Sequence, residues 1–191
     1  GAKRAEDFIS DENFTQNDVI QEWRQAFSKF KTKKGARSSI EALLKRVSQG
    51  REFNPINPLV DIYNSVSLSY AVPCGGEDLE KIAGHLRLGK AKGGESFFPL
   101  GGESDAPALP EEIIYYDDEG AVCRCLNWRE AQRTMLTEET KDAVLVIEAI
   151  NAEQARRARV AMEELQDLVK DYFGVQGKLV HLTSESPEIT L

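Results

Sequence analysis

The chain has few residues of the kinds that mark disulfide frameworks, histidine-based sites or membrane segments. Its 191 residues include 3 cysteines and 2 histidines, and no apolar run approaches the roughly 18 residues that a membrane-spanning helix requires. A small, odd number of cysteines favours free thiols in a reducing compartment. The first residues, GAKRAEDFIS, lack an apolar signal core. We therefore expect a cytoplasmic protein with no membrane span.

Signatures of metal sites and of nucleophilic catalysis are also missing. Cys123 and Cys125 are expected on one face of a strand, but the only histidines, His85 and His181, are remote from them in sequence. Cys74 stands beside two glycines without a paired histidine, and no G-x-S-x-G elbow occurs. The two GGES segments precede no clear strand-to-helix junction of the phosphate-binding kind. We expect neither a metal nor a cofactor.

Positive charge is scarce overall and concentrated in one short segment. The formal net charge of −8 argues against a protein coated along its length by nucleic acid, because phosphate binding depends on clustered Lys and Arg. The segment KFKTKKGAR is the exception, and its candidate contacts with an RNA backbone are Lys31, Lys33, Lys34 and Arg37. A solvated basic loop is the alternative interpretation of the same run.

The N-terminal part of the chain is predicted to be a flexible tail followed by two short helices. Residues 1–15 are polar and form the expected tail. Residues 17–49 contain both helices, since apolar residues recur there at helical spacing. Asn17 is the expected cap of the first helix, and Ser38 with Glu41 forms a capping-box pattern at the start of the second.

A third helix, over residues 57–70, has an unusual polar face. Asn57 is its expected cap, and Pro58 occupies the first helical position, where a missing N–H costs nothing. Between residues 53 and 76 the only charge is Asp61. The side opposite the apolar stripe therefore carries short side chains instead of long charged ones, and a Pro-Cys-Gly-Gly loop is expected after the helix.

The second half of the chain changes from helical to alternating periodicity. HLRL, EEIIYYDD and AVCRCLNW read as strands, the last two joined by a DDEG turn, and DAVLVIEAI reads as a strand covered on both faces. We expect residues 112–117, 121–128 and 142–150 to share one mixed or antiparallel sheet. Residues 152–173 return to helix, and KLVHLTS is the candidate last strand. The predicted class is α+β, with residues 16–191 as a single domain.

Residues 54–150 as a whole resemble the tRNA-binding editing domain, called B3/B4, of the phenylalanyl-tRNA synthetase beta subunit. The likeness runs in order through PINPLVDIYNSV, PCGGEDLEKIAGHLRLGKAKGGESFFPLGGE, LPEEIIYYDDEGAVCRC and TEETKDAVLVIEAI. The helices of residues 17–49 and 152–173 resemble the flanks of free-standing copies of this domain. The resemblance implies a B3/B4-like α+β fold.

The same resemblance implies a function and a set of site residues. The family's domain hydrolyses the ester of a wrongly attached amino acid, so the implied partner is the aminoacylated 3′ end of a tRNA. Glu130 takes the position of the family's pocket glutamate and is the implied catalytic residue. The implied substrate-binding residues are Asn57, Asp61, Asn64, Gly75, Gly76, Asn127, Trp128 and Arg129. Local caps, a core plug at Trp128 and a surface pair of Arg129 with Glu130 are the alternative roles.

Two departures from the family pattern leave two functions open. Gly75 stands where the family has a histidine, and Trp128 and Arg129 replace two glycines. An aminoacyl ester is activated, so water held by backbone groups and a ribose hydroxyl can still attack it. The first hypothesis is therefore a deacylase that edits mischarged tRNA in trans. The alternative is a non-catalytic module that binds a tRNA end, a nucleotide or an amino acid.

Overall fold

The computed structural model describes residues 1–191, which form five α-helices and two antiparallel sheets. The helices are α1 (Ala2–Ala5), α2 (Asp18–Phe27), α3 (Ser39–Ser48), α4 (Pro58–Tyr70) and α5 (Ala152–Phe173). The strands are β1 (Cys74–Asp78), β2 (Arg87–Lys90), β3 (Ile113–Tyr116), β4 (Ala121–Arg124), β5 (Arg129–Glu130) and β6 (Ala143–Ile147). The predicted α+β class is confirmed.

The strands divide into two sheets instead of the single sheet predicted from the sequence. Strands β2, β3, β4 and β5 form a four-stranded sheet in chain order, and β1 pairs with β6 in a separate two-stranded sheet. The DDEG turn does join β3 to β4, with the Asp117 N–H donating to the Gly120 carbonyl oxygen at 3.0 Å. The prediction that residues 142–150 share a sheet with residues 112–117 and 121–128 is wrong. Strand β6 pairs instead with β1, a segment that the sequence predicts to be a loop.

Strand β1 contains the Gly-Gly pair that the sequence analysis assigned to a loop. Both glycines pair with β6 as strand residues, and a side chain at either position would meet neighbouring groups. A Cβ atom built on Gly76 would lie 2.6 Å from Leu145 Cδ2 and 3.0 Å from Leu136 Cδ1. The two glycines allow neighbouring side chains to approach the backbone of β1 closely, which is a common reason for glycine inside a sheet.

Helix α4 lies at the centre of the molecule and contacts α1, α3, α5 and β1. Its start is as predicted: Asn57 Oδ1 accepts a hydrogen bond from the Val60 N–H at 3.0 Å, and Pro58 opens the helix. The short polar side chains let other helices approach closely. Ser67 is fully buried, and a Cβ atom on Gly1 would lie 2.6 Å from the Ser65 carbonyl oxygen. Helix packing therefore accounts for the lack of charge that the sequence shows here.

The N-terminal residues are packed against the helical core. Helix α1 lies on α4, and Ala5 and Phe14, both within the segment expected to be a tail, are buried in one apolar cluster with residues of α2 and α3. The predicted capping box at α3 does not form. The Ser38 hydroxyl makes no hydrogen bond, and Glu41 pairs with Arg24 of α2 at 2.7 Å instead.

The C-terminal helix α5 covers α4 and ends as predicted. Asn151 Oδ1 accepts from the Gln154 N–H at 2.8 Å, and Gly174 ends the helix in the left-handed conformation, with φ of 71°. Ala161 and Leu165 pack against the apolar face of α4. The KLVHLTS segment forms no strand, and Val180 and Leu182 stay exposed because no sheet edge lies against them. None of the helices combines the length and apolar character that crossing a membrane would need.

Candidate functional site

The candidate site lies where β5 of the four-stranded sheet approaches β1 of the two-stranded sheet, close to α4. On the four-stranded sheet, Tyr115 pairs with Cys123, and Cys123 pairs with Glu130, so the three residues form one cross-strand row. Directly paired residues in an antiparallel sheet project from the same face. The start of β1, at Cys74 and Gly75, lies against the end of this row.

The Glu130 carboxylate occupies the space beside Gly75. A Cβ atom at residue 75 would lie 2.9 Å from Glu130 Oε1, so a side chain at this position would displace the carboxylate. Burial raises the pKa of Glu130 to about 7, and the Gly76 amide nearby opposes the rise. Residue 130 thus combines a pKa near neutrality with a position against bare backbone. Of the residues predicted from the sequence, Gly75, Gly76 and Glu130 do come together.

A second carboxylate, Glu148, lies at the end of β6 and is held by two hydrogen bonds. The Tyr115 hydroxyl donates to Glu148 Oε1 at 2.9 Å, and Asn127 Nδ2 donates to Glu148 Oε2 at 3.1 Å. Burial raises the pKa of Glu148 to about 7, although both hydrogen bonds favour its charged form. Asn127, a predicted site residue, therefore reaches the site through Glu148. Its Oδ1 accepts from the Ser39 N–H at 3.3 Å, which ties the site to the start of α3.

A third carboxylate, Glu77 on β1, is almost fully buried. Burial and the negative charge of Glu130 raise the pKa of Glu77 to about 9, so this side chain is protonated at neutral pH. The nearby Thr134 hydroxyl opposes this rise in pKa, but neither Glu77 Oε2 nor the Thr134 hydroxyl has a partner at hydrogen-bond distance. Unsatisfied buried polar atoms are uncommon in folded proteins. We refer to Glu77, Glu130 and Glu148 as the acidic cluster.

Tyr63 of α4 completes the site. Its ring lies 3.5 Å from the position of a Cβ atom on Gly76, and its hydroxyl makes no hydrogen bond within the protein. Burial and the charge of Glu130 raise the pKa of Tyr63, so the hydroxyl keeps its proton and remains a donor. No cationic side chain pairs with any member of the acidic cluster.

Glu77, Glu148, Tyr63 and Tyr115 were missed by sequence reasoning. Glu148 gave one usable signal, because it is the only charged residue in the apolar run from Val144 to Ile150. The tyrosines gave none, since each also fits an ordinary core position. Recognising them required the register of β3 with β4 and the packing of α4.

The cysteines do not share one site. Burial raises the pKa of Cys74 and of Cys123, both of which lie near the acidic cluster. The sequence predicts Cys123 and Cys125 on one face of a strand. This prediction is wrong, because β4 ends at Arg124 and Cys125 has a φ of 48°. Its thiol packs among the N-terminal helices. Nowhere in the chain do three or more His, Cys, Asp or Glu residues lie close enough to hold a metal ion.

Trp128 and Arg129 do not join the acidic cluster. Trp128 packs against the apolar cluster that includes α2 and α3. Arg129 is exposed, and its guanidinium lies 5.1 Å from the centre of the Trp128 ring. Alternation along β5 explains the separation, because successive strand residues point to opposite faces and Glu130 points toward Gly75.

The three site residues predicted at α4, Asn57, Asp61 and Asn64, make only local hydrogen bonds or none. Asn57 caps the helix, and Asp61 accepts a hydrogen bond from the Ile56 N–H at 3.0 Å. The Asn64 side chain is half-buried and makes no hydrogen bond. Nothing links these side chains to Glu130 by hydrogen bonding, and Tyr63 is the residue of α4 that does reach the cluster.

The basic segment, residues 29–37, forms an exposed loop between α2 and α3, which we call the basic loop. Its predicted RNA contacts, Lys31, Lys33, Lys34 and Arg37, are exposed and take part in no ion pair. The loop is attached to the sheet near the site: the Lys31 N–H donates to the Glu111 carbonyl oxygen at 3.3 Å, and the Lys33 N–H lies 3.5 Å from Cys125 Sγ. A free cationic surface therefore adjoins the turn that carries Asn127.

Comparison with known proteins gives a family and two partial relatives. The sequence profile of the B3/4 domain matches residues 22–174. The chain is 32% identical over 104 residues to the phenylalanine–tRNA ligase beta subunit of Fusobacterium nucleatum, a match that covers 54% of this chain and 13% of that protein. It is 37% identical over 67 residues to the same subunit of Ruegeria pomeroyi, covering 35% of this chain and 8% of that protein. The chain thus spans a small part of the length of these relatives.

Proposed function

The chain belongs to the B3/4 domain family, and from this we propose that it binds the aminoacylated 3′ end of a tRNA and hydrolyses the ester of a mischarged amino acid in trans. The names of its relatives associate the domain with a tRNA ligase. The observation that supports hydrolysis best is the Glu130 carboxylate, which lies against Gly75 and has a pKa of about 7.

In this proposal Glu130 is the general base. A base is most effective when its pKa lies near the working pH, because it is then both available and able to take a proton. Gly75 stands where the family resemblance expects a histidine, and Glu130 Oε1 fills part of the volume that such a side chain would need. Glu130 would thus be placed to accept a proton from the water molecule that attacks the ester. As the bond between the ester carbon and the ribose oxygen then breaks, Glu130 returns this proton to the ribose oxygen, which releases the amino acid and the free tRNA hydroxyl.

The other members of the site have complementary roles in the proposal. The Tyr63 hydroxyl, which has no partner within the protein, donates a hydrogen bond to the ester carbonyl oxygen, where negative charge develops. Glu148 attracts the α-ammonium group of the aminoacyl ester. The Asn127 and Tyr115 hydrogen bonds hold Glu148 in place for this contact. Phosphates of the tRNA lie along the basic loop.

A non-catalytic binding module is the second candidate, and one observation favours it. Neither histidine of the chain is near the acidic cluster: His85 is exposed before β2, and His181 is exposed in the C-terminal segment. The group that the resemblance expects to take the proton is therefore missing. A protein of this kind would bind the aminoacyl end through the same residues and leave the ester intact.

The deciding experiment is a deacylation screen over a panel of mischarged tRNAs, with Glu130→Gln and Glu138→Gln as matched variants. Both substitutions remove one carboxylate, but Glu138 is exposed in the turn before β6. We expect release of the amino acid from at least one tRNA, and a loss of at least tenfold in E130Q alone, or about 1.4 kcal/mol of transition-state stabilisation. If every ester stays intact while aminoacyl-tRNA still binds, the protein is the binding module.

A further inference from the structure

A cleft of about 380 Å³ lies between α2, the basic loop and the start of α3, and none of its lining residues belongs to the acidic cluster. Its apolar floor includes Trp23 and Phe27, and its polar wall includes Arg24, Arg37, Ser38 and Glu41. The proposed hydrolysis assigns no role to its floor or to α3, and the proposed tRNA contact shares with it only the basic loop, through Arg37. Its volume is in the range of small-molecule sites.

The cleft carries one uncompensated positive charge. Glu41 is bound by Arg24 through three contacts, with Nε at 3.1 and 3.2 Å from the two carboxylate oxygens and Nη2 at 2.7 Å from one of them. This pair is neutral as a unit. Arg37, which also lines the cleft, forms no ion pair and no side-chain hydrogen bond. Lys33 and Lys34 of the basic loop add further free charge close by.

The walls of the cleft also contain hydrogen-bond donors that have no acceptor. Trp23 and Ser38 are each 1% exposed, and the Trp23 indole N–H and the Ser38 hydroxyl have no partner. Ser38 stands at the N-cap of α3 without making the capping bond, and the backbone N–H groups of Ile40 and Glu41 have no acceptor within the protein. A buried donor without an acceptor destabilises the folded protein, so an acceptor within reach of these groups would be stabilising.

We propose that this cleft binds a phosphate group. The available groups are all donors or cations: the free Arg37 guanidinium, the Ser38 hydroxyl, and the N–H groups at the positive end of the α3 helix dipole. A phosphate supplies several acceptor oxygens and negative charge. The single carboxylate of the cleft is already neutralised by Arg24 and does not repel an anion.

Free nucleotides and an RNA backbone both carry this chemistry, and the chain offers a direct probe of it. Trp23 and Trp128 are its only tryptophans, so the ¹⁵N-labelled protein has two indole N–H signals, which a Trp128→Phe variant assigns. Titration with inorganic phosphate, against sodium chloride at equal ionic strength, should shift the Trp23 indole and the Ile40 and Glu41 amides saturably. The Trp128 indole should move little.

Arg37→Ala should weaken phosphate binding at least tenfold, whereas Arg159→Ala, which removes an exposed cation from α5, should not change it.

Parallel titrations with AMP and with a short single-stranded RNA lacking a terminal phosphate distinguish the two sources of phosphate. Tighter binding of AMP assigns the cleft to a free nucleotide, and tighter binding of the RNA assigns it to a backbone. Shifts that rise linearly without saturation, or equal effects of the two Arg variants, would overturn the proposal. No aminoacyl ester is present in these titrations, so their outcome is separate from that of the deacylation screen.

Discussion

The carboxylate of Glu130 and the backbone of Gly75 exclude any side chain from the space between them. A Cβ atom on Gly75 would lie 2.9 Å from Glu130 Oε1, whereas the same atom on Gly76 would meet two leucine side chains. Two adjacent glycines are therefore required for different reasons. Gly75 leaves room for a movable carboxylate, and Gly76 leaves room for the packed core.

This difference predicts opposite effects of two alanine substitutions. Gly75→Ala should displace the Glu130 carboxylate, which is the free end of a flexible side chain, and should lower the deacylation rate at least tenfold with little change in thermal midpoint. Gly76→Ala should lower the thermal midpoint by several degrees, since Leu136 and Leu145 must move. Deacylation assays and thermal unfolding of the two variants check both statements. Normal deacylation by Gly75→Ala would contradict the role of Glu130.

A histidine at residue 75 should not restore the family's chemistry. The imidazole and the Glu130 carboxylate compete for the same volume, so Gly75→His should be no more active than Gly75→Ala. The double variant Gly75→His with Glu130→Gly removes the competition and is the appropriate comparison. Deacylation by the single histidine variant above the level of the unchanged protein would show that Glu130 is a passive occupant of the site.

The acidic cluster predicts that stability falls as pH rises through neutrality. The pKa of Glu77 is about 9 in the folded protein, against roughly 4.3 for an ordinary glutamate. Folding therefore takes up a proton between these values, and the free energy of unfolding decreases by about 1.4 kcal/mol per pH unit from this group. The stabilisation is complete below the unfolded pKa and is lost as pH rises toward 9.

Glu77→Gln keeps the neutral form and should remove this slope. Urea unfolding between pH 6 and pH 8 should show a gain in stability of the variant over the unchanged protein, and that gain should increase with pH. Glu80→Gln, a change at an exposed glutamate three residues further along the chain and just past the end of β1, serves as the control and should keep the original slope. Parallel pH dependence of the Glu77→Gln variant and the unchanged protein would mean that Glu77 is not protonated on folding.

Local signals in the sequence predict α2 to α5, but neither α1 nor the partner of each strand. Asn57 with Pro58 marks the start of α4 as predicted, because capping depends on residues within one turn. The predicted bounds of α5 also hold, with Asn151 as the observed cap before it and Gly174 after it. The pairing of β1 with β6 joins segments about 70 residues apart, and its Gly-Gly pair is typical of a turn when read alone. The KLVHLTS segment has a strand-like pattern but no neighbouring edge to pair with.

The candidate site was predictable only where the family pattern names a residue. Glu130 and Gly75 follow from that pattern and do meet, whereas Trp128 and Arg129 follow from the same pattern and point elsewhere. Glu148 and Tyr115 reach the site through strand register, which is a property of the whole sheet. No reading of spacing along the chain shows which face of a short strand such as β5 is buried.

The buried ion pair between Arg124 and Glu112 should be a strong determinant of stability. Both side chains are almost fully buried, and Arg124 also donates to the Ala106 carbonyl oxygen at 2.6 Å, which fastens the long segment before β3 to the sheet. Glu112→Gln leaves the guanidinium buried without a countercharge and should cost about 3–5 kcal/mol. Urea unfolding measures the loss directly.

The neighbouring residue supplies the control for this prediction. Glu111 pairs with Lys90, and both of these side chains are about two-thirds exposed, so Glu111→Gln should cost at most about 1 kcal/mol. Replacing both Arg124 and Glu112 by apolar residues of similar size should recover much of the stability lost in the single variant. Equal effects of the changes at residues 111 and 112 would show that burial of the pair has no energetic consequence.

The basic loop should determine how tightly tRNA binds and how strongly salt weakens that binding. Lys33→Glu with Lys34→Glu reverses two free charges beside the site. Lys170→Glu with Lys178→Glu makes the same change in net charge at exposed positions on and after α5. If tRNA phosphates lie along the basic loop, the first pair should weaken tRNA binding at least tenfold and the second should have little effect.

Salt titrations of tRNA binding distinguish direct contacts between the basic loop and phosphates from general electrostatic attraction. Each phosphate contact contributes about −0.7 to −0.9 to the slope of log affinity against log salt concentration. The loop variant should therefore have a slope shallower by roughly one to two such increments, whereas the α5 variant should keep the original slope, because charge distant from the contact is largely screened at moderate ionic strength. Equal slopes in the two variants would mean that the RNA is held elsewhere and that the basic loop is only a solvated turn.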